Sequence, residues 1–188
     1  MIKLRQDFMI TADRTNDLLK DLLELTKKVV LVGVPEASGR ADVRKEERAT
    51  KGQAMGNASL AYIHDNGSPL ANIPARPFMK PGIAKVQEQI NKELALVAKE
   101  SLDKKEDRVD QHLHRAGLIA SASIKNVINE GAGFTPLKRG TLLGRLRRRK
   151  AAKKWDKEKR EETMESMHPL IDTGQLRNSI SYVIEKKT

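Results

Sequence analysis

Hydrophobic and polar positions follow one another along this chain with periods that change from segment to segment, and the changes mark out its elements. Leu18, Leu19, Leu22, Leu23 and Leu25 share one face at helical spacing behind Asp13, a residue suited to cap a helix, and predict a helix through about Thr26. Residues 1–10 alternate loosely enough for a strand or an ordered arm. Residues 27–35, KKVVLVGVP, are β-branched and nearly all apolar up to a proline, which predicts a buried strand. Ile83, Val86, Ile90, Leu94 and Val97 predict one long amphipathic helix from Pro81 to about Leu102. A second stripe, Val109, Leu113, Ala116, Ala120, Ile124 and Val127, predicts another from about Glu106 to a stop at Gly131 and Gly133. Its small residues Ala116, Gly117, Ala120 and Ser121 leave room for another element to come close. Residues 179–185, SISYVIE, alternate as a half-buried strand does.

The stretches between these segments have no simple period. Residues 36–56 mix both signs of charge with glycine, which fits a mobile loop or a contact arm in an oligomer. Asn57 is placed to cap a short helix, Ala58 to His64, that runs into the turn-favouring pair Asn66-Gly67. In residues 61–82, AYIHDNGSPLANIPARPFMKPG, Pro74 and Pro77 fix two φ angles and push Arg76 toward extended backbone. Pro81 sits where a first helical turn forms without losing a hydrogen bond. The stretch is stiff and then launches a helix. FTPL at 134–137 reads as a turn with an anchoring aromatic. Thr141 to about Met167 has good helix formers but only Leu142, Leu143, Leu146, Trp155 and Met164 to bury, so it predicts a polar helix that projects into solvent or lies on a partner. Asp172 or Thr173 is placed to cap a short helical turn that follows.

Composition narrows the function classes. The chain has 188 residues, 38% hydrophobic and 32% charged, enough for one domain with a core but not for burial throughout. Absence of cysteine excludes disulfides and thiolate metal sites. No apolar run approaches the roughly 20 residues that span a bilayer, and the first residues lack the apolar core of a signal peptide, so the expectation is a soluble protein made in the cytoplasm, with no membrane partner. Net charge is +11, yet Lys138 to Arg160 alone holds twelve basic and two acidic residues. The remainder is close to neutral, and any polyanion argument concerns that one segment.

Candidate chemistry is sparse. His112 and His114 lie two apart on a predicted helix and point to different faces, whereas a metal pair needs a spacing of three or four, so no metal and no cofactor is expected. His64-Asp65 has no nucleophile with an orienting partner beside it, and no phosphate-binding loop is present, which argues against an enzyme. The basic segment supports a double-stranded DNA contact through Arg145, Arg147, Arg148, Arg149, Lys150, Lys153 and Lys154, with Trp155 stacking on a base or anchoring in apolar surroundings. A solvated or partner-facing charged helix is the equal alternative.

The order of the landmarks VVLVGVPE, NASLAYIHDNGSP, NIPARPFMKPGI, a helical pair, FTPL and PLIDTGQLRNSISYVI resembles the neck and tail-completion proteins of tailed bacteriophages, the tail-component and virion-morphogenesis families. The resemblance covers about Lys28 to Ile184 and is most specific in Ile73 to Phe78 and Leu170 to Gly174. It implies an α+β fold with a small sheet against helices. Together with the periods above, the expectation is a small, mostly antiparallel sheet packed against two long helices, with a core formed by residues 1–137 and 168–188 and a mobile loop or arm at 36–56. The projecting charged helix at 138–167 departs from the resemblance as a basic insertion, since such families are shorter there, and no role is carried over to it. The implied function is a virion structural protein that forms a homo-oligomeric ring, a hexamer or dodecamer, at the neck or top of the tail. There it would meet portal-side connector and tail proteins, with Ile73, Pro74, Arg76, Pro77, Phe78, Asp172 and Thr173 at subunit or partner interfaces. Arg76 would pair with a carboxylate in its own fold or across a subunit contact, and Phe78 would anchor in the core.

Overall fold

The computed structural model describes residues 27–35, 56–149 and 154–186, together with Asn16, Leu19, Lys20 and Leu23. Those last four positions are helical, in line with the spacing of the leucines. The expected strand or arm at 1–10, the rest of the first helix, and residues 36–55 of the expected loop or contact arm lie outside the described residues.

The chain is α+β. A strand, β1 (Lys28–Gly33), is followed by α1 (Asn57–Asn66), α2 (Met79–Lys85), α3 (Gln87–Leu102), α4 (Glu106–Glu130), α5 (Arg139–Arg148), α6 (Lys157–Glu165), α7 (Gln175–Asn178) and β2 (Ser181–Lys186). The strands pair antiparallel, with Lys28 opposite Lys186 and Gly33 opposite Ser181. Side chains alternate across a strand, so Val30, Val32, Tyr182 and Ile184 share the face toward α4. Leu31 and Val183, paired across the ladder, share the other face and stay exposed.

Helix α4 is the axis of the fold, about 37 Å long by helical rise. Its stripe buries Val109, Leu113, Ala116, Ala120, Ile124, Val127 and Ile128, because these positions recur every three or four residues. It ends at Gly131, whose φ of 62° is a left-handed cap that other side chains rarely adopt. The small residues do what their size allows. A Cβ at Gly117 would lie 2.3 Å from the Tyr182 ring, so β2 reaches α4 only because that position is bare. Gly82 of α2 meets the Ile124 backbone in the same way, and Ser123 Oγ donates to the Gly82 carbonyl at 2.6 Å.

Two apolar clusters lie along this axis. One joins Phe78, Ile124, Ile128, Leu170 and Ile180, with Phe134 packed at its edge; the other joins Val97, Val109 and Leu113 with Val30 and Ile184. A third, apart from them, joins Leu146 and Met164 with Leu142, Leu143, Trp155 and Met167.

Several expectations change. The single helix from Pro81 to Leu102 is two helices, interrupted at Val86 with φ −119° and ψ 14°. The contact between Gly82 and Ile124 fixes the direction of α2, and α3 must turn to run back along the other half of α4. A β-branched residue at the joint tolerates the extended φ. The charged helix over 141–167 is likewise two helices, α5 and α6, joined through the third cluster. Its few apolar residues are too sparse for one long buried stripe, but folding back on itself lets them cover one another. Asn57 begins α1 and is buried, with Gly56 at the cap position. Gly174 takes that position for α7, leaving Asp172 for a different task and Thr173 Oγ1 at 3.4 Å from the Gln175 amide.

Candidate functional site

The stiff stretch at 61–82 is built as a braced hairpin between α1 and α2. Ser68 and Ile73 exchange both backbone hydrogen bonds, at 2.8 and 2.9 Å, and the Asn72 amide closes a turn on the Pro69 carbonyl at 3.0 Å. This arrangement carries Leu70 at the tip, wholly exposed, while Tyr62 on α1 is 70% exposed. On the inner side, Asp65 Oδ1 accepts from the amides of Phe78 at 2.7 Å and Met79 at 3.0 Å. These are unpaired donors at the start of α2, so Asp65 caps a helix from thirteen residues upstream. Beside it, the Arg76 amide donates to the His64 carbonyl at 2.8 Å.

Arg76 is buried and points to the FTPL turn, where Nε donates to the Thr135 carbonyl at 2.8 Å and Nη2 to that of Pro136 at 3.4 Å. The partner is backbone, not the carboxylate expected from the sequence. A guanidinium presents donors in a fixed fork, and two successive carbonyls of a turn match it. Phe78 is fully buried. Of the residues proposed for an interface, therefore, Arg76 and Phe78 are engaged inside the subunit. Ile73 and Pro74 are half-buried at the hairpin base, and Pro77, Asp172 and Thr173 are exposed.

A second arginine latches the PLIDTG segment. Arg145 Nη1 donates to the carbonyls of His168 and Ile171, each at 2.8 Å, and Nη2 donates to that of Pro169 at 2.8 Å. Its Nε lies 3.8 Å from Asp172 Oδ1, and the side chain is only 12% exposed. Arg148, one turn on, pairs with the other oxygen of Asp172. The segment from His168 to Asp172 is thus wrapped around one guanidinium. Arg145 and Arg148 serve the fold, and Arg145 is too enclosed to touch DNA. Arg147, Arg149 and Lys154 are exposed, while Lys150 and Lys153 lie outside the described residues.

The two motifs meet at a cleft of about 170 Å³ lined by Leu60, His64, Arg145, Pro169, Asp172 and Gly174. His64 Nδ1 is buried there without a hydrogen-bond partner among the described residues. Burial first, then the charges of Arg76 and Arg145, hold its pKa below the ordinary value, so the imidazole is neutral at pH 7. The other helical histidines diverge. His112 contacts Glu93 at 2.6 Å on α3, and His114 meets the Tyr182 hydroxyl at 3.1 Å with its ring edge-on. Among the described residues no His, Asp and Glu side chains converge as a set of metal ligands. None of their helices is long and apolar enough to cross a membrane.

Sequence reasoning missed Asp65, Leu70 and the true partners of both arginines. Leu70 had a signal, since Pro-Leu-Ala-Asn between Ser68 and Ile73 is a four-residue turn that leaves the leucine no inner face. Comparison with protein-family models, with curated protein sequences and with solved structures found no match.

Proposed function

We propose that this chain is a non-enzymatic structural subunit of a tailed-phage virion, forming a homo-oligomeric ring of six or twelve copies that completes the neck or tail and joins it to the connector. The observation that carries the assembly is Leu70, a wholly exposed leucine on a braced, proline-flanked hairpin. A monomer gains nothing from holding an apolar side chain rigidly in water. A neighbouring subunit gains a contact whose ordering entropy is already small, because the hairpin is fixed beforehand. The exposed pair Leu31 and Val183 on the outer sheet face supports the same reading. The choice of assembly rests on the order of the motifs, and Asp172 and Thr173 remain exposed where a partner can reach them.

Leu70→Ser tests the reading, because the side chain makes no contact in its own subunit whose loss would unfold it. By mass measurement the wild type is expected as a ring, and the variant as smaller species at the same concentration with an unchanged melting midpoint. A wild type that stays monomeric, alone and mixed with purified connector and tail components, would overturn the proposal.

A further inference from the structure

Four guanidiniums act on one another beside the cleft where α1 meets the segment 168–176. Arg145 lines it, with its donors directed to the carbonyls of His168, Pro169 and Ile171. Burial pushes the Arg145 pKa down; of the charges within reach, Asp172 pulls it up, while Arg148, Arg76 and Arg149 push it further down. Arg76 and Arg145 act on His64 in the same sense, after burial. Against these cations stands one carboxylate of the cleft lining, Asp172, already paired with Arg148. Asp65, next to His64 in sequence, turns its carboxylate to the amides of Phe78 and Met79 and is not part of the lining. A cleft with this balance favours a negative charge inside it, and partial enclosure makes the attraction stronger than on an open surface.

The rest of the lining narrows the chemistry of that anion. Leu60, Pro169, Leu170 and Leu176 give the cleft an apolar part, which a bare inorganic ion leaves uncovered and a hydrocarbon stem covers. Its volume of about 170 Å³ is that of roughly five or six waters at about 30 Å³ each, room for a carboxyl group on a short carbon chain. His64 supplies a hydrogen-bond donor. Its Nδ1 is buried with no acceptor beside it among the described residues, so a proton there would be an unpaired buried donor. The neutral ring therefore carries its proton on Nε2.

We infer that this cleft is a binding site for a carboxylate borne on a short hydrocarbon stem, attracted by Arg145 and the arginines around it, with His64 as donor and Leu60, Pro169 and Leu176 against the stem. That chemistry comes either from a free short-chain acid or from an aspartate or glutamate side chain of a second copy. The site does not depend on ring assembly.

The experiment titrates sodium butyrate into the full chain at constant ionic strength and follows the histidine ring signals by NMR, in the wild type and in Leu70→Ser. The His64 signals should shift and saturate in at least one of the two, while those of His112 and His114, held by Glu93 and Tyr182, stay in place. Sodium chloride, phosphate and butylammonium should give no saturating shift at His64. Thr173→Glu sets a carboxylate on an exposed residue of the lining and should weaken butyrate binding by about tenfold or more, the effect of a like charge in a confined site. Thr173→Gln should bind as its parent does. Binding to both the wild-type ring and the separated Leu70→Ser subunits assigns the cleft to a free acid. Binding to the separated subunits alone assigns it to a side chain of the neighbouring copy. No saturating shift in either chain, or an unchanged affinity in Thr173→Glu, would overturn the site, and an equal response to phosphate would overturn the choice of carboxylate. Should the wild type never assemble, the ring reading fails while the titration still decides the site.

Discussion

Replacing Arg145 by methionine keeps the apolar stem and removes the guanidinium, so the consequence can be worked out from its contacts. The side chain is 12% exposed, which limits screening by solvent. Three carbonyls, of His168, Pro169 and Ile171, lose a charged donor, and Asp172 keeps only Arg148. Removing one partner from a buried charged contact costs about 3–5 kcal/mol. The lower end applies here, because His168 and Asp172 border solvent and water can replace part of what is lost. At about 2–4 °C per kcal/mol for a chain of this size, a loss of about 3 kcal/mol lowers the melting midpoint by roughly 6–12 °C. Lysine should rescue little, since a single ammonium cannot span the three carbonyls that the planar fork reaches. Urea unfolding at constant m value measures the loss, and hydrogen exchange locates it. Amides of residues 168–178 should lose protection before those of α4 do. A methionine variant within about 1 kcal/mol of wild type would refute the latch, because that is within reach of an ordinary surface substitution.

Further predictions follow from the close contacts and from the cleft. Asp65→Ala should cost about 1–2 kcal/mol in urea unfolding by stripping α2 of its cap, and Asp65→Asn should cost less because it keeps an acceptor for the Phe78 and Met79 amides. Gly117→Ala should destabilise by about 1–3 kcal/mol, since the new Cβ falls on the Tyr182 ring. In a Tyr182→Ala background the same change should instead stabilise by up to about 1 kcal/mol, the ordinary helical preference for alanine, when both are followed by thermal unfolding. His64 has a lowered folded pKa, so the unfolded chain binds its proton first as pH falls through about 6.5. Its neutral form is accommodated above that pH, and stability is lost progressively below it. The stability of wild type relative to His64→Gln should therefore decline from pH 7 toward acid, and a difference constant with pH would contradict the assignment.

What the chain announced in its sequence was periodic. The stripe of α4 and the alternation in β2 were legible because burial on one face leaves a repeat, and β1 was legible as a strand because a proline bounds its apolar run. The burial expected of β1 was not found, since in a two-stranded sheet with one face on α4 its residues are half-buried and Leu31 is exposed. The interruptions were not legible. The pattern Ile83, Val86, Ile90 runs straight through the break at Val86, which is set by Gly82 resting on Ile124, a contact between residues far apart in the chain. The division of the charged segment into α5 and α6 is of the same kind, since it depends on Leu146 meeting Met164. In the candidate site, the importance of Arg76 could be suspected from its place between two prolines, yet its partners could not. Backbone carbonyls belong to every residue, so an arginine that binds them leaves no complementary residue to find. Asp65 is hidden for a related reason, because it caps a helix from well outside the local spacing at which caps are recognised.

The pairing of Lys28 with Lys186 has a consequence for how the molecule is made. The two strands close a loop of about 150 residues, an entropic cost of roughly 4 kcal/mol before any ladder contact offsets it. Helices α3 and α4, neighbours in sequence, meet no such barrier, so the helical hairpin should collapse first and the sheet should zip last upon it. The same closure brings the chain in and out at one point of the surface. The chain enters β1 at Lys28 and leaves β2 at Lys186 side by side, at one edge of the described fold.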